Sequence, residues 1–251
     1  MHPILFQIGP LTIYSYGLMV ACAFIVGTYL ASREAIRQNI PEQKIVDIAL
    51  ILAISGIVGG RLLYVLQNFD FYLKYPLQII MLHKGGLSFF GGLFFALICM
   101  LFFLKLQNLP VLKTVDLFTP YLALGHAIGR IGCLLNGCCY GKQTSHFFAL
   151  YFPADNIPRY PVQVYSSLGL VVIFIILRFW QERLRDKPRF QGQIFIFYCF
   201  LYSMMRFFME YLRGDHQPVF AGVNVYQLVS IVIFIFSGAL LWKRRKGFLL
   251  K

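Results

Sequence analysis

The feature that most constrains this chain is its supply of apolar runs. A helix crossing the hydrocarbon core of a bilayer needs about 20 largely apolar residues. Seven windows of the 251-residue sequence meet that need, at roughly 12–32, 45–67, 87–104, 115–135, 163–181, 191–212 and 224–242. Composition agrees, with 59% of residues hydrophobic and 13% charged, where soluble domains run at about 45–50% and 25%. The expected fold is therefore all-α, a single integral-membrane domain over residues 1–251 with seven transmembrane helices. Residues 1–10 carry no Lys or Arg ahead of the first run. The basic start of a cleavable signal peptide is thus missing, and the first span is expected to be retained.

An odd number of spans puts the two termini on opposite sides, and an excess of Lys and Arg marks the cytoplasmic loops. One set of alternate loops, together with the C-terminal tail, holds fifteen basic residues; the other holds five, Lys74, Lys84, Lys142, Arg159 and Arg213. The N-terminus is expected outside, in the periplasm, and the C-terminus in the cytoplasm. Because the net charge of +13 is spread over short loops and not along one face, nucleic acid is not expected as a partner. Two outer segments, 69–86 and 136–162, are unlike ordinary loops. The first is aromatic-rich and interrupted by Pro76, as in a short interfacial helix. The second combines Asn136, Gly137, Gly141, Pro153, Pro158 and Pro161 with Phe147, Phe148, Leu150, Tyr151 and Phe152, too many breakers for one helix and too apolar to float in water. Both are expected on the outer membrane surface.

Three basic residues, Arg61, Arg130 and Arg206, fall in the outer halves of the predicted spans, and Arg178 lies at the inner edge of the fifth. Each of the three lies within about two helical turns, roughly 10 Å, of the outer end. A charge at the centre of a bilayer costs about 3 kcal/mol on insertion scales, so an intramembrane arginine marks a functional site by default. His126 precedes Arg130 by four positions and shares its helix face, while Asn136 and Gly137 end the helix. Tyr202, Arg206, Glu210 and Arg213 follow one another at spacings of four, four and three, and also share a face. A carboxylate between two guanidinium groups offsets their burial and orients them, leaving N–H forks for phosphate oxygens.

The stretch Gly85-Gly86-Leu87-Ser88-Phe89-Phe90-Gly91-Gly92 opens the third span. Its glycines suit either exposed main-chain N–H groups around an anion or close helix packing. Cys22, Cys99 and Cys199 lie in apolar runs, where Cys is a small hydrophobe. Cys133, Cys138 and Cys139 have no second Cys or His pair at zinc-ligand spacing and form no C-x-x-C. They read as structural or incidental thiols, with no metal and no cofactor expected. No G-x-S-x-G elbow occurs.

At these residues the chain resembles the prolipoprotein diacylglyceryl transferase family. The match follows Tyr16-Gly17-Leu18-Met19, Gly60-Arg61 with Tyr64, the double-glycine stretch 85–92, and Gly129-Arg130-Ile131-Gly132 through Asn136-Gly137 to Gly141. It continues with Pro161, Gln163 and Tyr165, then Tyr202 with Arg206, Glu210 and Arg213, and finally Gln227. The resemblance implies an enzyme of the bacterial inner membrane that moves the diacylglyceryl group of phosphatidylglycerol onto the lipobox cysteine of a prolipoprotein, releasing glycerol phosphate. Its partners would be phosphatidylglycerol, prolipoprotein signal peptides and membrane lipids. Arg130 and Arg206 are then expected to clamp the phosphate, with Glu210 orienting Arg206 and His126 available to the thiol proton. Tyr16, Arg61, Gly91, Asn136, Gly141, Tyr202 and Arg213 are expected to bind substrate beside Arg130.

The resemblance has gaps. Phe90 stands where many family members carry the histidine proposed to take the thiol proton, and Cys133, Tyr160 and Ser166 replace the family's usual asparagine, histidine and glutamate. The base is therefore open between His126 and the field of the arginines. A diverged, non-catalytic or different-acceptor lipid-binding relative is one rival reading. An anion or lipid transporter is another, but Arg61, Arg130 and Arg206 cluster near one surface and the inner halves of the spans carry charge only near their inner ends, at Asp47, Asp116 and Arg178, an asymmetry that argues against transport.

Overall fold

The computed structural model describes residues 1–9, 11–82, 85–152, 156–185, 190–214 and 222–249. Helices dominate. A short hairpin, β1 (Ile4–Ile8) with β2 (Leu11–Tyr14), leads into α1 (Ser15–Arg37), followed by α2 (Glu42–Gln67), α3 (Phe69–Lys74) and a 3-10 turn at Pro76–Ile80. Then come α4 (Phe89–Leu106), α5 (Val111–Asn136), a second hairpin of β3 (Leu150–Phe152) with β4 (Ile157–Arg159), and α6 (Val162–Leu184), α7 (Gln193–Leu212) and α8 (Val225–Leu249).

Among the described residues, six helices are long and apolar enough to cross a membrane: α1, α2, α4, α6, α7 and α8 over Val225–Arg244. The window expected at 115–135 is also helical, inside the 26-residue α5. That helix is about 39 Å long at 1.5 Å per residue, ample for a hydrocarbon core of about 30 Å. Thr114, Asp116, Thr119, His126 and Arg130 interrupt its apolar surface. The first span begins at Ser15 and runs on to Arg37, beyond the expected 12–32, because residues 11–14 pair with β1.

Chain contacts divide the molecule into two compact units, Ala31–Thr114 and Met1–Leu30 with Val115–Lys251. In the first, α2 and α4 meet through glycines. A Cβ on Gly91 would lie 2.4 Å from the Gly59 carbonyl oxygen, and one on Gly59 would lie 2.2 Å from the Phe95 Cβ. The helices approach this closely only because both positions lack a side chain. Arg61 organises the segment between them. Its Nε donates to the Ile79 carbonyl at 2.8 Å and its Nη1 to those of Gly85 and Gly86 at 2.6 and 2.9 Å, while its Nη2 donates to Gln78 and Met81. Gly86 sits at φ +81°, where a Cβ would strike the Tyr64 ring at 2.6 Å and the Arg61 guanidinium at 2.7 Å, so only glycine fits this turn.

In the second unit, α7 is fastened at its start by a buried carboxylate. Asp116 accepts the N–H groups of Gly192 at 2.7 Å and of Ile194 and Phe195 at 3.0 Å. A helix N-terminus leaves such donors unmet, and a carboxylate there also complements the helix dipole. The start of α8 carries a capping box: the Asn224 side-chain oxygen accepts the Gln227 N–H at 3.0 Å, and the Gln227 side-chain oxygen accepts the Asn224 N–H at 3.1 Å. Buried Ala123, Ile173, Leu177, Ile194 and Tyr198 form the apolar core between these elements.

Candidate functional site

Most of the expected site residues belong to the second unit and come from three elements. Arg130 and His126 lie one turn apart on α5. Tyr202, Arg206 and Glu210 lie on successive turns of α7, and Arg213 follows its end. The His126 ring rests 5.4 Å from that of Tyr202, which stacks in turn on Tyr198. Arg130 and Arg206 both act on His126, and Arg206 also feels Arg213 and Arg130 electrostatically. Three guanidinium groups therefore share one neighbourhood.

Each is held differently. Arg206 pairs with Glu210 at 2.9 Å and lies 5.5 Å over the ring of Tyr226. The other Glu210 oxygen accepts the Asn224 amide at 3.1 Å, so the capping box of α8 fixes the carboxylate that fixes the arginine. Arg213 is buried, and its backbone bridges to Gly141. Arg130 has a buried Nε with no hydrogen-bond partner among the described residues. A buried guanidinium donor left unmet is costly, and an anion is the partner that would satisfy it.

The loop after α5 closes over the same region. The Gly141 N–H donates to the Tyr160 carbonyl at 3.1 Å and the Lys142 N–H to that of Leu212 at 2.8 Å. A Cβ on Gly141 would lie 2.6 Å from the Tyr160 carbonyl oxygen and 2.9 Å from that of Leu212. Gly141 thus works through the close approach of three chain segments. On α1, Tyr16 packs beside Gly132, where a Cβ would meet its ring at 3.3 Å. Its hydroxyl lies within electrostatic range of Arg130 and of Cys133, Cys138 and Cys139. Asn136 hydrogen-bonds the Cys138 side chain.

Arg61 and Gly91, expected among the substrate-binding residues, belong to the first unit. The Arg61 guanidinium is engaged by carbonyls of the 78–86 segment, and Gly91 lies in the α2–α4 contact.

The cysteines are the largest departure from expectation. The sulfurs of Cys133, Cys138 and Cys139 lie within 4.8 Å of one another. Spacing did not suggest this, because α5 ends between them and the chain reverses through Gly137 at φ +73° and Cys139 at φ +60°. Gln163, buried on α6, donates to the Cys138 carbonyl at 2.7 Å and pins the turn. The Cys139 thiol is pulled below its usual range, first by hydrogen bonds from the thiols of Cys133 and Cys138 and then by the fields of Arg213 and Arg130. An Asn-Gly step between Cys133 and the Cys138-Cys139 pair is the one sequence signal of such a reversal.

Fold and site together define a multi-pass helical membrane protein with Arg130, Arg206 and Arg213 within electrostatic reach of one another's surroundings in its second unit. The chain belongs to the prolipoprotein diacylglyceryl transferase family, whose model matches residues 3–243. It is 36% identical over 251 residues to a phosphatidylglycerol–prolipoprotein diacylglyceryl transferase of Finegoldia magna, covering 100% of this chain and 98% of that one. Proteins of the same name from Lactobacillus acidophilus, 33% identical over 98% of this chain and 90% of theirs, and from Clostridium tetani, 32% identical over 94% and 97%, are similar along nearly their whole length.

Proposed function

We propose that this protein transfers the diacylglyceryl group of phosphatidylglycerol to the cysteine thiol of a prolipoprotein lipobox, forming a thioether and releasing glycerol phosphate. The reading is carried by Arg206 lying within electrostatic range of both Arg130 and Arg213, with the buried Nε of Arg130 lacking a hydrogen-bond partner among the described residues. A thiolate displacing a phosphate ester from carbon builds negative charge on the departing phosphate. Guanidinium groups fixed in a site of low dielectric stabilise that charge without reorganising. Arg130 and Arg206 form the clamp, Arg213 draws in the headgroup, and Glu210 holds Arg206 in place. Tyr16, Asn136 and Tyr202 border this region and bind the glycerol or phosphate. Gly141 shapes its wall, while Arg61 and Gly91 build the 78–86 segment and the α2–α4 contact of the first unit.

The same reading puts the chain in the bacterial inner membrane as one domain with seven spans, α5 being the seventh, the N-terminus periplasmic and the C-terminus cytoplasmic. The polar face of α5 is then the price of the site it carries. Segments 69–86 and 136–162 lie on the outer surface; Leu77, Ile80, Phe147 and Tyr151 are 72%, 78%, 91% and 65% exposed, as suits side chains resting in lipid headgroups. Reporter fusions at the two termini test the topology, and a C-terminus found outside overturns it.

The activity is tested with purified protein, phosphatidylglycerol vesicles and a lipobox peptide, following both the diacylglyceryl peptide and glycerol phosphate. Equal amounts of the two products are expected. Lipid that binds without turnover would favour a non-catalytic relative.

A further inference from the structure

The thiol acceptor of the proposed reaction must reach the carbon as a thiolate, since the thiol itself is a poor nucleophile. An unassisted cysteine, with a pKa of about 8.5, is mostly protonated at neutral pH. Neither His126 nor the arginine field offers a seat that fixes the position of a sulfur atom. The cysteine cluster does.

We propose that Cys133, Cys138 and Cys139 bind a zinc ion whose fourth coordination position takes the acceptor cysteine as a thiolate. The inference rests on the transferase reading for the identity of that fourth ligand, but not for the metal site itself. Zinc–sulfur bonds of about 2.3 Å in a tetrahedron set neighbouring sulfurs about 3.8 Å apart. The three sulfurs here already lie within 4.8 Å of one another, so small rotations of the side chains would close the site. Three protein ligands with one open position is the arrangement of a catalytic zinc, whereas structural sites use four. Among the described residues no fourth Cys, His, Asp or Glu joins the group.

The surroundings suit a thiolate-rich metal. Zinc with three thiolates carries one net negative charge, and a fourth thiolate makes it two. Arg130 and Arg213 both act on Cys139 and would offset that charge. The carbonyl of Cys138 is held by Gln163 and its side chain by Asn136, the outer-shell support that orients ligands around a metal. The cluster also borders the region assigned to the phosphate, through Arg130 and Tyr16. Nucleophile and leaving group can then be served from one site.

The step balances without any redox partner. On ligation the acceptor thiol gives its proton to water. Its sulfur lone pair forms the new C–S bond as the C–O bond to phosphate breaks, and that electron pair leaves on glycerol phosphate between the guanidinium groups. The metal lowers the thiol pKa, as coordination does generally, so no side-chain base is needed.

Metal analysis of the purified protein tests the site first. About one zinc per chain is expected, lost in Cys133→Ser, Cys138→Ser and Cys139→Ser variants that remain monodisperse. Replacing zinc with cobalt(II) gives a second readout that needs no turnover. Sulfur-to-cobalt absorption is expected in the near ultraviolet, rising by about a third when a lipobox peptide adds one thiolate to three, and unchanged by the peptide with serine in place of cysteine. Full activity without a thiophilic metal, or in the Cys139→Ser variant, overturns the proposal and leaves the transferase reading standing. A cobalt band indifferent to the peptide thiol overturns it too, because the metal is then structural. Metal bound, a band that responds to the thiol and no diacylglyceryl product would instead support the site and overturn the transferase reading.

Discussion

Arg206 and Glu210, one turn apart on α7, form a 2.9 Å ion pair whose carboxylate is held from behind by the Asn224 amide at 3.1 Å. Alone, an i, i+4 pair on a helix contributes only about 0.3–0.5 kcal/mol. Here the carboxylate side chain is fully buried and the guanidinium only 14% exposed, so breaking the pair strands a charge. The arrangement makes Glu210 a positioning residue, and Asn224 the residue that positions it.

Glu210→Gln keeps an oxygen for Asn224 and removes the charge opposite Arg206. Loss of one member of a buried pair costs about 3–5 kcal/mol where the other charge stays unpaired. The expected outcome is a lower melting temperature together with a fall in kcat greater than any rise in KM for phosphatidylglycerol. Steady-state kinetics and a thermal shift assay check it.

Asn224 does two jobs that substitution can separate. Asn224→Ala removes the N-cap of α8, costing about 1 kcal/mol, and also the second ligand of Glu210. Asn224→Ser restores a capping oxygen but no amide donor. Stability should recover in the serine variant while kcat stays reduced; recovery of both would show that the cap alone matters.

If Arg130 clamps the phosphate as proposed, its removal should act on the transition state. Arg130→Ala is expected to lower kcat by about 10²–10³-fold, the usual effect of deleting one preorganised donor. Arg130→Lys should recover little of it, because an ammonium does not reproduce the planar fork. Full activity of Arg130→Ala at normal expression would remove the clamp.

Gly91→Ala and Gly86→Ala report on the first unit. At Gly91 the new methyl would lie 2.4 Å from a backbone oxygen, and overpacking of this kind costs about 1–3 kcal/mol. At Gly86 the clash falls on the Tyr64 ring and Arg61, and positive φ adds strain. Both should lower thermal stability in detergent, whereas Gly129→Ala, with nothing within 4 Å, should not.

Much of this protein was legible without coordinates. Apolar runs of about 20 residues announce membrane helices because lipid leaves a backbone no other way to satisfy its polar groups. Arg130, Arg206, Glu210 and Arg213 stood out because charge is scarce in such segments; helical periodicity put Arg206 and Glu210 on one face, whereas Arg213, expected on it too, has extended backbone just past the end of α7. Arg61 showed the limit of that reasoning. It has the same depth and rarity as the others, yet its donors are met by carbonyls of a segment 17 to 25 residues away, and no local pattern reveals which backbone groups fold back onto a side chain.

The sequence by itself therefore determined the solvent, the helices and the charges that had to be explained, since each follows from composition and spacing within a single element. Tertiary structure decided what those charges and thiols meet. The Asp116 carboxylate under α7, the Asn224 amide behind Glu210 and the three sulfurs gathered by the turn at Gly137 and Cys139 all depend on residues brought together from separate elements or across a reversal of the chain. Their physical basis is distance in space, which periodicity along one helix does not encode.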